Sequence, residues 1–338
     1  MATFEYYTYE TININAAHED RYFLIFNHPF IGEDPSEDYS YLYSGFVLAE
    51  NKILNLNEIL SQYVHPARLQ FNASNYVQNS AEGHLRFWIY YTSNDWETWT
   101  YDTISLIYNW GYNKPLDDST YLYHGYLSDP ILSIVDYRQF LLCSRRANSP
   151  DASQIVRIYV DGSQITNFSM TGYNIYTYAR KANTFGVSGN GHTVTIGNQT
   201  YDIITDGCYR YCLYYANQYG GWDSMLFRGK ELQKDSLSRL SYKKDYIVQS
   251  TDFHKVDYLT KINETWSLNT SYLNDIQSSK MINIMGSNEL YLHDLETNRI
   301  IPVNITNTAC EHKTYKNQGR KMSVYNLEIS ASQEKYRI

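Results

Sequence analysis

Charge is scarce in this chain. Only 19% of its 338 residues are Asp, Glu, Lys or Arg, and what charge there is sums to -8. A general duplex-binding surface needs a basic footprint, so binding of that kind is not expected. A local basic patch, or a passage that DNA crosses without adhering, stays open. Cysteine is scarce too: four thiols, at 143, 208, 212 and 310, are too few and too scattered for a disulfide scaffold. No apolar run approaches the roughly eighteen residues of a membrane-spanning helix, and no charged-then-apolar leader opens the chain. Neither membrane crossing nor secretion is therefore expected.

Catalytic signatures are missing as well. None of the nine His residues belongs to a His-Glu-x-x-His pair, and no Gly-x-Ser-x-Gly elbow supports a Ser/His/Asp combination. Gly186-x-x-Gly-x-Gly191 lacks the strand-to-helix context and glycine order of phosphate-binding loops, so hairpin turns are the simpler reading. On a strand, Cys208 and Cys212 would share a face about 13 Å apart, too far for a disulfide or a shared zinc. Core packing is their expected role. Cys310 and His312 would also share a strand face, but without further ligands. Asp117-Asp118 and the run from Glu33 to Asp38 match no calcium-loop spacing and read as solvated loops. No cofactor, metal or catalytic residue is expected, and hence no enzyme.

What abounds is tyrosine, with 36 residues, in a chain that is 16% aromatic and 43% hydrophobic. That apolar content suffices for packed cores. Tyr offers a large contact area with few rotatable bonds, which suits a surface that meets other proteins. It also suits half-buried strands, and both readings stand.

Strand signals dominate the chain. Ile12 and Ile14 alternate with Asn13 and Asn15, and Arg21 to Asn27 reads as a partner strand. Tyr41 to Ala49 is a third strand, Leu56 to Val64 a short helix with one apolar face, and His84 to Tyr91 a strand apolar on both faces. A second series runs through Gln139 to Arg145, Gln154 to Val160, Gln164 to Phe168, Tyr173 to Tyr178 and Thr193 to Ile196, with Asp161-Gly162 as a hairpin turn. Asp206 to Ala216 reads as a strand rich in aromatics, and Asn217 to Phe227 as a turn centred on Gly220-Gly221 followed by a second strand. The basic run from Gly229 to Tyr246 reads as a loop or an arm crossing to a neighbour. Tyr258 to Asn269 is a strand. In the stretch from Ser271 to Met285, Leu273, Ile276, Met281, Ile284 and Met285 share a helical face, and Gly286 offers a stop. Glu289 to Asp294 and Arg299 to Ile305 form a hairpin, with Pro302 suited to an edge position. Tyr325, Leu327 and Ile329 alternate in a last strand, with a bulge invoked to absorb Met322 and Val324.

The expected fold is mainly β: β-sandwich or barrel domains, the C-terminal one with a single short helix near 271–285. The divisions are an N-terminal β-rich domain over 1–115, a middle β-rich region over 116–205 and a C-terminal β domain over 206–338. Trp96, Trp99 and Trp110 cluster in an aromatic-heavy stretch. They are candidates for interface anchoring or for stacking on sugar rings, which keeps a carbohydrate-binding adhesin or receptor-binding tail protein as the alternative function.

The segment from Arg210 to Ser224 resembles a recurring segment in virion proteins of tailed phages that infect gut Bacteroidales, the crAss-like group among them. So do Tyr291-Leu-His-Asp294, Ile301-Pro-Val303, Thr306-Asn-Thr308 and the run from Lys313 to Lys321. The resemblance covers about residues 205 to 332. It implies a structural virion protein near the portal, a tail ring, hub or connector of several copies around the DNA passage. Its partners would be copies of itself and other tail and portal-proximal proteins, and DNA would pass without sequence-specific binding. Tail-tube and distal-tail proteins with a sandwich or barrel and one helix supply the implied fold. What carries over residue by residue is the turn Gly220, Gly221, Trp222 and Asp223. Gly permits the turn, Trp222 anchors the sheet, and Asp223 bonds nearby backbone amides.

Overall fold

The computed structural model describes residues 4–7, 11–13, 21–27, 41–47, 53–55, 59–65, 69, 71, 76–80, 84–92, 99–101, 106–109, 132–146, 149–172, 175–187, 189–205, 209–243, 255–273, 275–307, 324–333 and 335–337. Nine short strands come first: β1 (Phe4–Tyr7), β2 (Thr11–Asn13), β3 (Arg21–Phe26), β4 (Tyr43–Val47), β5 (Ile53–Asn55), β6 (Tyr76–Ser80), β7 (His84–Thr92), β8 (Trp99–Tyr101) and β9 (Leu106–Asn109). One sheet runs β1-β9-β7-β3-β4, with β8 on β7, while β2 and β5 pair separately. The expected pairing of Arg21 to Asn27 with the first strand is corrected: β3 lies between β4 and β7, and β1 runs parallel to β9. Leu24, Phe26 and Tyr90 form the core there, with the rings of Phe26 and Tyr90 edge-on at 5.3 Å. The described part of the helix expected over Leu56 to Val64 includes a 3-10 turn, Ser61–Tyr63, that buries Ile59, Leu60 and Val64.

The middle region holds β10 (Leu132–Asp136), β11 (Phe140–Arg146), β12 (Ser149–Val160), β13 (Ser163–Gly172), β14 (Ile175–Lys181), β15 (His192–Ile196) and β16 (Gln199–Ile204). They divide between two sheets. One runs β10-β16-β15-β12-β13, the other β11-β14-β6, so a strand from the first region completes the second sheet. Asp161 and Gly162, both at positive φ (48° and 78°), make the tight turn between β12 and β13.

The C-terminal region carries β17 (Tyr211–Ala216), β18 (Trp222–Leu226), β19 (Glu231–Lys243), β20 (Lys255–Asn269), helix α1 (Asp275–Met285), β21 (Leu290–Asp294), β22 (Arg299–Ile305), β23 (Asn326–Ala331) and β24 (Lys335–Arg337). Their order is β18-β17-β21-β22-β23-β20-β19, with β24 on β20. Two expectations change here. The run from Gly229 is mostly a strand of 13 residues rather than a loop. Pro302 lies on β22, an interior strand. Its carbonyl accepts from Ser332 N at 3.0 Å, so its hydrogen-less nitrogen faces the same side, just beyond the point where β23 stops pairing. Val324 is exposed and precedes β23, Met322 of the expected bulge lies outside the described residues, and a bulge is present between β19 and β20.

Alternation along the strands explains how these sheets pack. On β11, Leu141 and Cys143 join one core with Val156, Ile158, Val194 and Ile203 of the first middle sheet. Phe140 and Leu142, on the opposite face, join Cys212, Tyr214, Trp222 and Leu226 of the C-terminal sheet. The other face of that sheet, through Leu213, Tyr215, Trp266, Leu292 and Leu327, closes on Leu273, Met281 and Ile284 at the helix. β11 is thus covered on both faces, and all seven of its residues are buried, as are the first five of β14. The protein is mainly β, in several sheets, and among the described residues no sheet closes into a barrel.

Candidate functional site

The turn between β17 and β18 is built around Asn217. Its Oδ1 accepts from the backbone amides of Tyr219 and Gly221, each at 3.0 Å, and its amide donates to Asp223 Oδ2 at 2.9 Å. Gly220 has φ 87°, where a side chain would be strained. Asn217 thus bonds the backbone amides of the turn, and Asp223 accepts from its side-chain amide. Trp222 is 1% exposed and stacks at a tilt on Tyr291, 5.7 Å away. Its backbone N–H donates to Ser144 Oγ at 2.9 Å, and Ser144 in turn pairs with Thr177 at 3.0 Å. Trp222 therefore ties the C-terminal sheet to the buried middle sheet.

A second tie runs beside it. The Tyr214 hydroxyl accepts from Phe140 N at 2.9 Å, so its own hydrogen is directed to His293 Nδ1 at 3.0 Å. His293 then carries its proton on Nε2 and donates to Asn298 Oδ1 at 3.2 Å, an oxygen that also accepts from Lys181 Nζ at 2.7 Å. Burial pulls the His293 imidazole down to about 4, and burial likewise raises the Tyr214 phenol well above its ordinary value. Both are neutral near pH 7, as this hydrogen-bond chain requires. Lys181 and Asn298 also line an open cleft of about 410 Å³ with Phe71, Phe140, Tyr291, Ile300 and Pro302. The described lining thus offers one cation, one side-chain amide and mostly apolar walls.

A third tie joins strands of the C-terminal sheet. Glu264 accepts from Arg299 Nη2 at 2.9 Å and from Lys335 Nζ at 2.7 Å, and the Arg299 guanidinium foremost holds its carboxyl below the usual range. It links β20, β22 and β24.

The hairpin of β19 and β20 has a different character. β19 is the outermost strand of its sheet and is almost wholly exposed on both faces. It presents Leu232 and Leu237, 58% and 57% exposed, together with Leu240 and Tyr242. Tyr258 of β20 is exposed as well, its ring 6.3 Å from that of Tyr242. Among the described residues, only these two strands make up the sheet beyond Thr260. A long unpaired edge with apolar side chains is what most folds avoid, because it templates pairing with another chain.

The remaining sequence candidates divide plainly. Trp96, Trp110, Cys208, Cys310, His312, the pair Asp117-Asp118 and the run from Glu33 to Asp38 lie outside the described residues. Trp99 opens β8, opposite Thr92 of β7. The sugar-stacking reading thus receives no geometry. Gly186, Gly189 and Gly191 all have positive φ, the conformation of turns. Among the described residues no group of three or more His, Cys, Asp or Glu side chains could hold a metal ion. Cys143 and Cys212 are free, fully buried thiols, and burial pushes Cys143 up to about 12 and Cys212 higher still. Thiolate is the reactive form, so native protein treated with iodoacetamide at pH 7.5 is expected to yield no adduct on either residue by peptide mass mapping. Full labelling is expected in urea.

The fold and these sites define a class: a mainly β, multi-sheet protein whose polar side chains join its sheets and whose β19–β20 hairpin leaves a long exposed edge. Compared with known protein families, curated proteins and solved structures, the chain matches none.

Proposed function

We propose that this protein is a structural component of a phage virion, a ring, hub or portal-tail connector assembled from several copies around the DNA passage. The observation that points to association with other chains is the β19–β20 hairpin, with its exposed Leu237, Leu240, Tyr242 and Tyr258; the ring itself rests on the resemblance. The resemblance of residues 205 to 332 directs the reading to the tail or head-to-tail region of the virion, with synthesis in the host cytoplasm. The C-terminal sheet with helix α1 laid on one face is compatible with the sandwich-plus-helix plan of tail-tube and distal-tail proteins. Rotational closure turns a head-to-tail contact into a finite ring instead of a filament. The net charge of -8 suits a conduit, since an acidic or neutral lumen repels phosphates and lets DNA slide.

Light scattering followed by negative-stain imaging of the purified protein tests this. Closed rings of uniform symmetry are expected, alone or with portal and tail partners. A chain that stays monomeric under both conditions overturns the reading, and a lumen lined mainly by Lys and Arg overturns the conduit.

A further inference from the structure

The exposed edge of β19 carries a pattern that is complementary to itself. Its residues alternate between two faces: Glu231, Gln233, Asp235, Leu237, Arg239, Ser241 and Lys243 on one, and Leu232, Lys234, Ser236, Ser238, Leu240 and Tyr242 on the other. The bulge opposite Leu240 and Ser241 adds its extra residue, Tyr258, to β20, so the alternation along β19 is unbroken. A two-fold axis perpendicular to the sheet at Leu237 would set a second β19 antiparallel to the first. Glu231 then faces Lys243 of the second copy, Asp235 faces Arg239, Leu232 faces Tyr242, Ser236 faces Ser238, and Leu237 faces its own counterpart. By symmetry each unlike pair occurs twice. Opposite charges and apolar groups placed directly across an antiparallel pair are stabilising, and like charges there are destabilising.

The register is specific. Sliding the copies one step in either direction puts Asp235 opposite Leu237 or Ser241 and leaves no acid opposite a base. A second step in one direction sets Asp235 against itself while Glu231 faces Arg239, and in the other sets Arg239 against itself while Asp235 faces Lys243, so each keeps one kind of opposite-charge pair instead of two and adds a like-charge contact. The side chains are free to make these contacts: β19 is exposed along nearly its whole length, and Leu237 at the axis is 57% exposed. Arg239 meets Asp257 of its own chain only loosely, at 3.6 Å.

We infer that β19 is a homodimerisation edge, through which two copies of this chain join their C-terminal sheets into one continuous antiparallel sheet. An isologous contact of this kind makes pairs, not rings. In the proposed assembly it would be the contact between two rings set back to back, and it stands on the β19 pattern whether or not the rings form.

Charge reversal in the full chain tests it. Asp235→Arg places Arg against Arg239 of the second copy, and Arg239→Asp places Asp against Asp235. Each variant alone is expected to dimerise at least about tenfold more weakly than the unaltered chain, one such factor being 1.4 kcal/mol. An equimolar mixture restores both opposite-charge pairs and is expected to recover the dimer in sedimentation equilibrium, a rescue that a folding defect would not show. Leu237→Cys, opposite itself at a spacing a disulfide can bridge, is expected to crosslink to a dimer under mild oxidant, while Leu240→Cys, opposite Lys234, stays monomeric on the same gel. Unchanged mass in both charge variants, or equal crosslinking at 237 and 240, overturns the proposal. Rings that persist with β19 unpaired would sink this contact alone, and dimers without rings would sink the ring reading alone.

Discussion

Replacing Trp222 with alanine is expected to lower the unfolding free energy by about 3–5 kcal/mol, the largest loss for any single truncation in the turn. The indole is 1% exposed and sits where the C-terminal sheet meets the buried middle sheet, beside Tyr291. The cost depends on how far the site can collapse after truncation. Here the walls are two sheets held apart by their own hydrogen bonds, and the backbone at Trp222 is pinned to Ser144, so little collapse is available. A urea titration with the slope unchanged and the midpoint lowered would show it. Leu237→Ala on the exposed edge of β19 is the matching control, expected within about 0.5 kcal/mol of the unaltered protein at a concentration too low for pairing. A loss below about 1 kcal/mol at Trp222 would mean that the two sheets do not share this core.

Acid is expected to destabilise the protein through His293, and a second group is expected to mask much of that. Unfolded, His293 takes up a proton near pH 6.5; folded, it resists until about 4, because burial penalises the imidazolium. Between those values the unfolded state binds more protons, so stability falls as pH falls, by up to about 3 kcal/mol. Glu231 acts in the opposite sense. Burial raises its carboxyl to about 7, so the folded state protonates first and stability rises as pH drops from 7 toward the ordinary carboxylate range. His293 is 0% exposed, whereas Glu231 is partly exposed and screened by water, which makes its contribution the smaller. The unaltered protein should therefore lose only modest stability between pH 7 and pH 5. Glu231→Gln should uncover a drop of about 2 kcal/mol over the same interval, read from urea midpoints at the two pH values. A flat profile for that variant would show that His293 is not held neutral by its surroundings.

The reach of the sequence depended on whether a strand had one wet face. β20 and β23 pack one face on the helix-side core, and Trp266 with Leu268, or Leu327 with Ile329, announce it by alternation. β21 and β22 were legible because Asn298, at φ 56°, closes a tight turn between them. β19 failed for the opposite reason: exposure on both faces leaves no apolar stripe, so its length and basic residues resembled a loop. β10 and β16 are short and pair in parallel, which brings together residues about 68 apart in the chain, and no local pattern marks such a pairing. In the turn, Trp222 stood out as an anchor, while Asn217 was passed over. Its signal was present, since Asn placed ahead of Gly-Gly commonly folds its side chain onto the amides that follow. The bond between Tyr214 and His293 spans 79 residues and exists only because β17 and β21 pair in one register, which neither residue advertises.

The doubly buried middle sheet also bears on how the chain emerges from a ribosome. β11 and β14 are finished by Lys181, yet the surface that covers Phe140, Leu142 and Ala179 includes Leu295 and Ile300 and rests on a sheet that continues through β22 to Ile305. Synthesis of the intervening 124 residues (305 minus 181) takes roughly 6 to 25 s at 5–20 residues per second. Throughout that interval an apolar face awaits partners not yet made. A nascent chain of this design is expected to gain from shielding during translation, and crowding of ribosomes on one message would expose many such faces to one another.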